Sequence, residues 1–238
     1  MLKRYEVVAR YWKHRLTNRL PEERVLRSRL IHCNRAIDVG ANHGIFSLIL
    51  SRLCDSVEAF EPNPSCARTL RQYRAGNIAI HTVRLSSTEG SRELFIPIIK
   101  RKQITGYGSF IRPAGNVDYR VIEVPVRRLD DFSFRDVGFI KIDVEGHELD
   151  VIRGGKATIT RERPILMVEI EQRHLRGVSV DDVIHELLSL GYRGAFYEEG
   201  RYCDIDGFDV EKHQLAPIAH PAGRRYVNNF FFFPDLSI

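Results

Sequence analysis

Three carboxylates, Asp143, Glu145 and Glu148, crowd into KIDVEGHELDVIRGG with His147 among them, where a short apolar strand gives way to a helical pattern. Like charges that close raise one another's pKa unless they are solvated or paired, which suits a group that must take up a proton near neutrality. Asp143 is the first candidate for such a general base, Glu145 the second, and His147 stands in reserve. Glu148 has a plainer role open to it, since an acid in the first turn of a helix satisfies free N–H groups and complements the dipole. Lys141, two residues before Asp143 on an otherwise apolar strand, is placed to pair with an acid of the later segment MVEIE, where Glu169 is a further site candidate. Three carboxylates could also hold a metal that activates a hydroxyl. Their spacing matches no metal set, and none is expected.

A second constellation lies upstream. In AIDVGANHGIFSLIL an acid, Asp38, precedes a turn bounded by Gly40 and Gly44, and a helical pattern begins at once. The spacing is G-x-x-x-G, whereas a dinucleotide fingerprint requires G-x-G-x-x-G around a pyrophosphate. NAD and FAD are therefore disfavoured. Glu61 closes EAFEP about twenty residues beyond the first glycine, where a carboxylate can accept hydrogen bonds from both hydroxyls of a ribose. Together the two loops point to a nucleoside.

The elements that must carry these loops alternate. AIDV, SVEAFEP, IAIHTVRL, GFIKIDV and PILMVEIE read as strands, interleaved with helices over Ile45–Leu53, Ser65–Tyr73, from about His147 to a break at Gly154–Gly155, and over VDDVIHELLSLGY. RELFIPII and YRVIEVPV read as a hairpin-like insertion, and the tail supplies two or three more strands ending in YVNNFFFF. Alternating βαβ units imply an α/β domain with a mostly parallel sheet and helices on both faces. Ligands of such sheets sit beyond the carboxyl ends of the central strands, where all the loops named above fall.

With 43% hydrophobic and 28% charged residues in 238, the chain can bury a core without metals or disulfides. Its four cysteines form no CxxC pair. With no secretory signal and no apolar run near the roughly 20 residues of a membrane span, a cytoplasmic protein with reduced thiols is expected. The charge of +5 is uneven: residues 1–35 carry ten Lys/Arg against three acids. Tyr5, Val8, Trp12, Leu16 and Leu20 recur at helical steps, so residues 1–34 read as a basic helical extension laid on the domain of residues 35–238 or on a partner subunit. A homo-oligomer is open on that reading, as is a nucleic-acid contact through the basic face.

DVGANHGIFSL, EAFEPNP, RRLDDF, FIKIDVEGHELDVIRGG and ILMVEIE, in that order and spacing, resemble the FkbM family of S-adenosylmethionine-dependent methyltransferases. The resemblance implies the class I methyltransferase (Rossmann-like) architecture: a seven-stranded sheet whose last strand is antiparallel. It also implies a cofactor, S-adenosyl-L-methionine, and methyl transfer to hydroxyls of sugars, glycolipids or polyketides. By position, Gly40, Ala41 and Asn42 would pass the methionine portion, with Asp38 beneath that turn or reaching its amino acid end. Glu61 would hold the ribose, with Pro62 and Asn63 flanking the adenine. Ser87 stands where the family usually has an acid for the adenine amino group, so Ser86 or Ser87, or a backbone group, would accept that bond instead. The glycine-bearing loop around TGYGSF would receive the acceptor through Tyr107 and Ser109.

An O-methyltransferase of a small hydroxylated acceptor is the leading expectation. An RNA or protein methyltransferase working through the basic arm is the second, weakened by the absence of an N-P-P-Y type loop. A scaffold that keeps the nucleoside fold without catalysis is the third.

Overall fold

β-branched and aromatic residues in short runs, separated by turn residues and amphipathic stretches, build the sheet and its covering helices in a computed structural model. It describes residues 26–27, 33–73, 75–99, 102–103, 118–198, 201–219 and 226–235. The strands of the main sheet are β1 (Cys33–Val39), β2 (Cys54–Phe60), β3 (Ile78–His81), β8 (Val137–Ile142), β9 (Ile165–Glu169), β10 (Tyr192–Glu198), β11 (Arg201–Asp204) and β12 (Asn229–Pro234). Their order is β11-β10-β12-β9-β8-β1-β2-β3. The β9, β8, β1, β2 and β3 neighbours are parallel, and β12 inserts antiparallel between β9 and β10.

The sheet thus has eight strands where seven were expected. The extra one, β11, folds back antiparallel on β10 and extends the edge. The expected third strand also divides. Ile78–His81 stays in the main sheet, while β4 (Arg84–Leu85) leaves it to pair with β7 (Tyr119–Arg127). The predicted insertion is an antiparallel hairpin of β5 (Gly90–Ile99) and β7, with the short β6 (Lys102–Gln103) on its edge. Alternation gives the hairpin one apolar face, Leu94, Ile96 and Val124, and one outward face bearing a groove of about 490 Å³ lined by Ser91, Arg92, Glu93, Phe95, Val121 and Glu123. Tyr107 and Ser109 lie outside the described residues, as does the basic extension of residues 1–34 except for Leu26, Arg27, Cys33 and Asn34, the last two of which open β1. Leu26 is buried in the core.

Central strands covered on both sides read as continuous apolar runs. One face, with Ile37, Val39, Ile140, Ile142, Leu166 and Val168, is covered by α3 (Glu148–Gly154), α4 (Lys156–Glu162) and α5 (Val180–Ser189). On the other, Ala36, Val57, Ala59, Phe139 and Met167 meet α1 (Ile45–Leu50) and α2 (Pro64–Arg71). The period of two sends Asp38, Lys141, Asp143 and Glu169 to this second face, at the carboxyl ends of β1, β8 and β9. Register makes them neighbours, because Asp38 pairs with Lys141 and Ile142 with Val168, which sets Asp143 beside Glu169. No helix among the described residues is long and apolar enough to cross a membrane.

Candidate functional site

The turn after β1 is held by the end of β2. The backbone N–H groups of Gly40 and Ala41 both donate to the Phe60 carbonyl at 3.0 Å, and Asn42 N–H donates to Glu61 Oε2 at 2.7 Å. Glu61 Oε1 accepts from Asn63 N–H at 2.8 Å. Each carboxylate oxygen therefore keeps one lone pair for another donor. Glu61 is 7% exposed, and burial pushes its pKa up to about 7, against the pull of those two N–H bonds. Asn63 has a second task, since its side chain accepts from Ser65 N–H and caps α2, with Pro64 at the first helical position. Pro62 completes the link between Glu61 and that cap.

Gly40 and Asn42 have φ of +78° and +50°, the left-handed region in which glycine and asparagine are tolerated. Glycine is required at position 40 by the protein's own packing. A Cβ there would stand 1.8 Å from the Asp143 carbonyl oxygen, so it is the loop after β8 that presses against the turn. A Cβ at Gly44 would likewise meet Leu70 at 2.7 Å and Tyr73 at 3.0 Å, which makes that glycine a device for packing the turn against α2 and the residues after it.

Asp38 is fully buried. Its Oδ2 accepts from Ser47 Oγ of α1 at 2.5 Å, and Lys141 Nζ stands 3.6 Å from Oδ1. Lys141, 2% exposed, also binds Asp143 Oδ2 at 3.0 Å and lies 5.1 Å from the Phe46 ring centroid. Burial opposes its charge, but Asp143 and Asp38 outweigh it and raise its pKa, so the lysine stays cationic. The pairing with an acid of MVEIE gives way to Asp143, which shares its strand face, while Glu169 acts on Lys141 only through the field.

Beyond β8 the chain reverses through Glu145 and Gly146, with φ of +53° and +99°. A side chain other than glycine held left-handed stores strain that the surroundings must over-determine. Here Gly146 presses on the His174 carbonyl, which a Cβ would meet at 2.3 Å. Glu145 is exposed, yet the protein mass around it, followed by Asp143 and Glu171, raises its pKa. His147 is half-buried and occupies the N-cap of α3 without a capping bond from its side chain. Glu148 does more than cap: Oε1 folds back to accept from Val144 N–H (3.3 Å) and Gly146 N–H (2.9 Å), bracing the reversal. Its pKa is pushed up to about 7 by burial.

Ser86 and Ser87 are tied to neighbouring elements. Ser86 N–H donates to the Arg127 carbonyl (3.0 Å), and Ser87 Oγ donates to Asp150 Oδ1 at 2.8 Å. A carboxylate does stand beside position 87, supplied by α3. Glu169, expected to bind the acceptor, is half-buried at the end of β9, and its Oε1 accepts from Asn228 Nδ2 at 2.9 Å. The same amide reaches Glu171 at 3.1 Å, and Glu171 also binds Tyr226 and Arg173. Glu171, Asn228 and Tyr226 escaped the sequence reading. The alternation of MVEIE was the available signal, because it sets Glu169 and Glu171 on one face. Gln214, carried by a π-helical turn over Glu211–Leu215, ties these loops by donating to the Ile170 and Val227 carbonyls and accepting from Gln172 N–H. Among the described residues no group of three or more His, Cys, Asp or Glu is arranged to hold a metal.

The site brings together Asp38, Gly40, Ala41, Asn42, Glu61, Asp143 and Glu169. An adenosyl sulfonium fits this donor set: a buried carboxylate with lone pairs for two hydroxyls, and an acidic floor of Asp38, Asp143 and Glu169 with Lys141 as its inner cation. No cradle of cations for phosphate is present among these residues.

Comparison with known proteins agrees. The methyltransferase FkbM domain model matches residues 38–193, well over half of the chain. The methyltransferase sdnD of Sordaria araneosa is 29% identical over 152 residues, covering 50% of this chain and 59% of that protein. Methyltransferase 1 of Beauveria bassiana (strain ARSEF 2860) is 27% identical over 141 residues, 50% of this chain and 57% of its own. The matched stretch thus spans less than two thirds of either relative. Among solved structures, a methyltransferase FkbM from Methylobacillus flagellatus KT superposes with a TM-score of 0.53 at 19% identity, over 84% of this chain and 43% of that one, a likeness of fold. With motifs, register and domain match in accord, the chain belongs to the FkbM methyltransferase family, whose methyl donor is S-adenosylmethionine.

Proposed function

We propose that this chain transfers the methyl group of S-adenosylmethionine to a hydroxyl oxygen of a small acceptor, a sugar or a glycolipid. The observation that carries the reading is Glu61, fixed by Asn42 and Asn63 on the same sheet edge as the acids of β8 and β9. S-adenosylmethionine, when bound, supplies a methyl carbon already activated by the sulfonium charge. The remaining tasks fall to the protein's own residues. Glu61 accepts the ribose hydroxyls, the 40–42 turn passes the methionine part, and the acidic floor favours a cation over a neutral ligand. The donor's sulfur would serve as the leaving group, keeping the carbon–sulfur electron pair while the acceptor oxygen bonds to the methyl carbon. The hydroxyl proton must then leave to a nearby side chain, and carboxylates whose pKa is raised toward neutrality suit that task. Glu145 and Glu169 have such a raised pKa, and Asp143 and His147 are the other candidates in the segments that follow β8. Alignment of oxygen, carbon and sulfur supplies much of the rate.

Calorimetric titration with S-adenosylhomocysteine tests the cofactor assignment. Glu61→Ala is expected to weaken binding by about a hundredfold or more, in line with the loss of a charge-assisted pair of hydrogen bonds. Unchanged affinity would refute the ribose role. Transfer of labelled methyl to a panel of sugars, glycolipids and amines then separates oxygen from nitrogen acceptors.

A further inference from the structure

Four carboxylates gather at the ends of β1, β8 and β9 and in the turn after β9: Asp38, Asp143, Glu169 and Glu171. Facing them are Lys141 and Arg173. Lys141 is spent on Asp143 at 3.0 Å and Asp38 at 3.6 Å, and Arg173 binds Glu171. Glu169 has no ion pair within the described residues. Its hydrogen-bond donor is neutral, the Asn228 amide at 2.9 Å, shared with Glu171 at 3.1 Å. Glu171 gains in addition the Tyr226 hydroxyl at 2.9 Å, and His174 Nδ1 lies 4.0 Å away. The two carboxyl groups thus share one amide donor, and like charges held that close favour a proton on one of them. That proton belongs on Glu169, because three donors favour the anion of Glu171 whereas Glu169 has one donor and Asp143 as its neighbour.

We propose that Glu169 and Glu171 form an asymmetric carboxyl pair holding one proton on Glu169, that Glu169 loses this proton when a positive charge is seated beside it, and that the freed carboxylate takes the proton of the acceptor hydroxyl. The proposal rests on the methyltransferase reading and selects its general base. It displaces Asp143, whose Oδ2 is occupied by Lys141. Burial, then Asp143 and Glu171, push the Glu169 pKa up to about 8. For Glu171 burial acts in the opposite sense, but Arg173, Glu169, Asn228 and Tyr226 outweigh it and bring its pKa down to about 2. Such divergence between neighbouring carboxyls marks a division of acid and base roles. Charge balances over the cycle. A sulfonium and a carboxylate enter the step, a thioether and a carboxylic acid leave it, and the proton on Glu169 is restored for the next turn.

Titration calorimetry of the full chain in buffers of different ionisation enthalpy reads the proton directly, without an acceptor. Near pH 7, S-adenosylmethionine is expected to release up to about one proton more than the neutral S-adenosylhomocysteine. Between pH 5.5 and 7.5 the ratio of their affinities should then climb by up to about tenfold per pH unit, below the range in which the ligands' α-amino group titrates. Glu169→Gln should abolish the proton difference while S-adenosylhomocysteine still binds. Equal proton counts for both ligands in the wild type, or an affinity ratio flat with pH, overturn the pair while leaving the cofactor reading intact. A difference that persists in Glu169→Gln assigns the proton elsewhere and overturns it too. Failure of both ligands to bind the wild type overturns the methyltransferase reading, and the pair with it.

Discussion

Lys141 is the cation on which two buried or half-buried acids depend, Asp38 through 3.6 Å and Asp143 through 3.0 Å. Removing one partner of a buried ion pair strands the other charge, at a cost of about 3–5 kcal/mol. Lys141→Met should lower stability by that order in denaturant unfolding, and adding Asp143→Asn should recover part of it. The sequence showed a lone lysine among apolar residues, and so a buried cation in need of an acid. Choosing the acid needed register: the pairing of Asp38 with Lys141 across β1 and β8 is set by two strands about a hundred residues apart. Glu61 stood out because a strand-end carboxylate at that distance from the first glycine suits the hydroxyls of a ribose. Its bonds to Asn42 and Asn63 were not, since they depend on how two turns meet. Ser87 shows another contact that depends on packing. Its hydroxyl is engaged by Asp150, a residue 63 positions away that no local pattern links to it.

Turns and helices obey a different logic. Gly40, Gly44 and Gly177 all have positive φ, yet they face unequal surroundings. A Cβ at Gly40 would lie inside the Asp143 carbonyl contact, while one at Gly177 would meet nothing within 4 Å. Gly177→Ala should therefore cost only the left-handed penalty of about 1–2 kcal/mol. Gly40→Ala should cost more than about 4 kcal/mol and abolish S-adenosylhomocysteine binding, both measurable by thermal unfolding and calorimetry. The glycine pattern announced tight turns, but which glycine abuts a neighbouring loop is a matter of packing. Hydrophobic periodicity placed α5 well, because Ser179 and Asp182 form a capping box and Gly191 ends the helix at φ +79°. It misread the third strand, whose last residues leave the sheet for β7. Nothing in a run of apolar residues says which of two sheets it will join.

Across the whole molecule, the raised carboxyls should shape how stability varies with pH. Glu61 and Glu148 are pushed up to about 7, and Glu169 to about 8, from ordinary values near 4.3. The folded state then holds more protons than the unfolded chain between those limits, so stability should fall as pH rises from about 4.5 to 8. Glu171, brought down to about 2, acts in the opposite sense only below about pH 4.5. Thermal unfolding across this window should show a decline, and Glu148→Gln should raise the melting temperature more at pH 8 than at pH 5. An unchanged profile would mean that these groups ionise freely. At this scale the βαβ rhythm delivered the architecture, as alternation and right-handed crossovers leave few arrangements to choose from. The two or three strands expected of the tail are three, and β11, a short exposed edge, is the one by which the sheet exceeds seven.

Gly154 touches the far side of this picture. A Cβ there would come within 2.0 Å of the Ser86 carbonyl oxygen, and Ser87 is tied to Asp150 one turn earlier on the same helix. That helix begins at Glu148, whose carboxylate braces the reversal after Asp143. The segment expected to border the adenine and the segment bearing the acids are thus bolted to a single rod. They cannot drift apart independently, and a ligand that tightens one end stiffens the other.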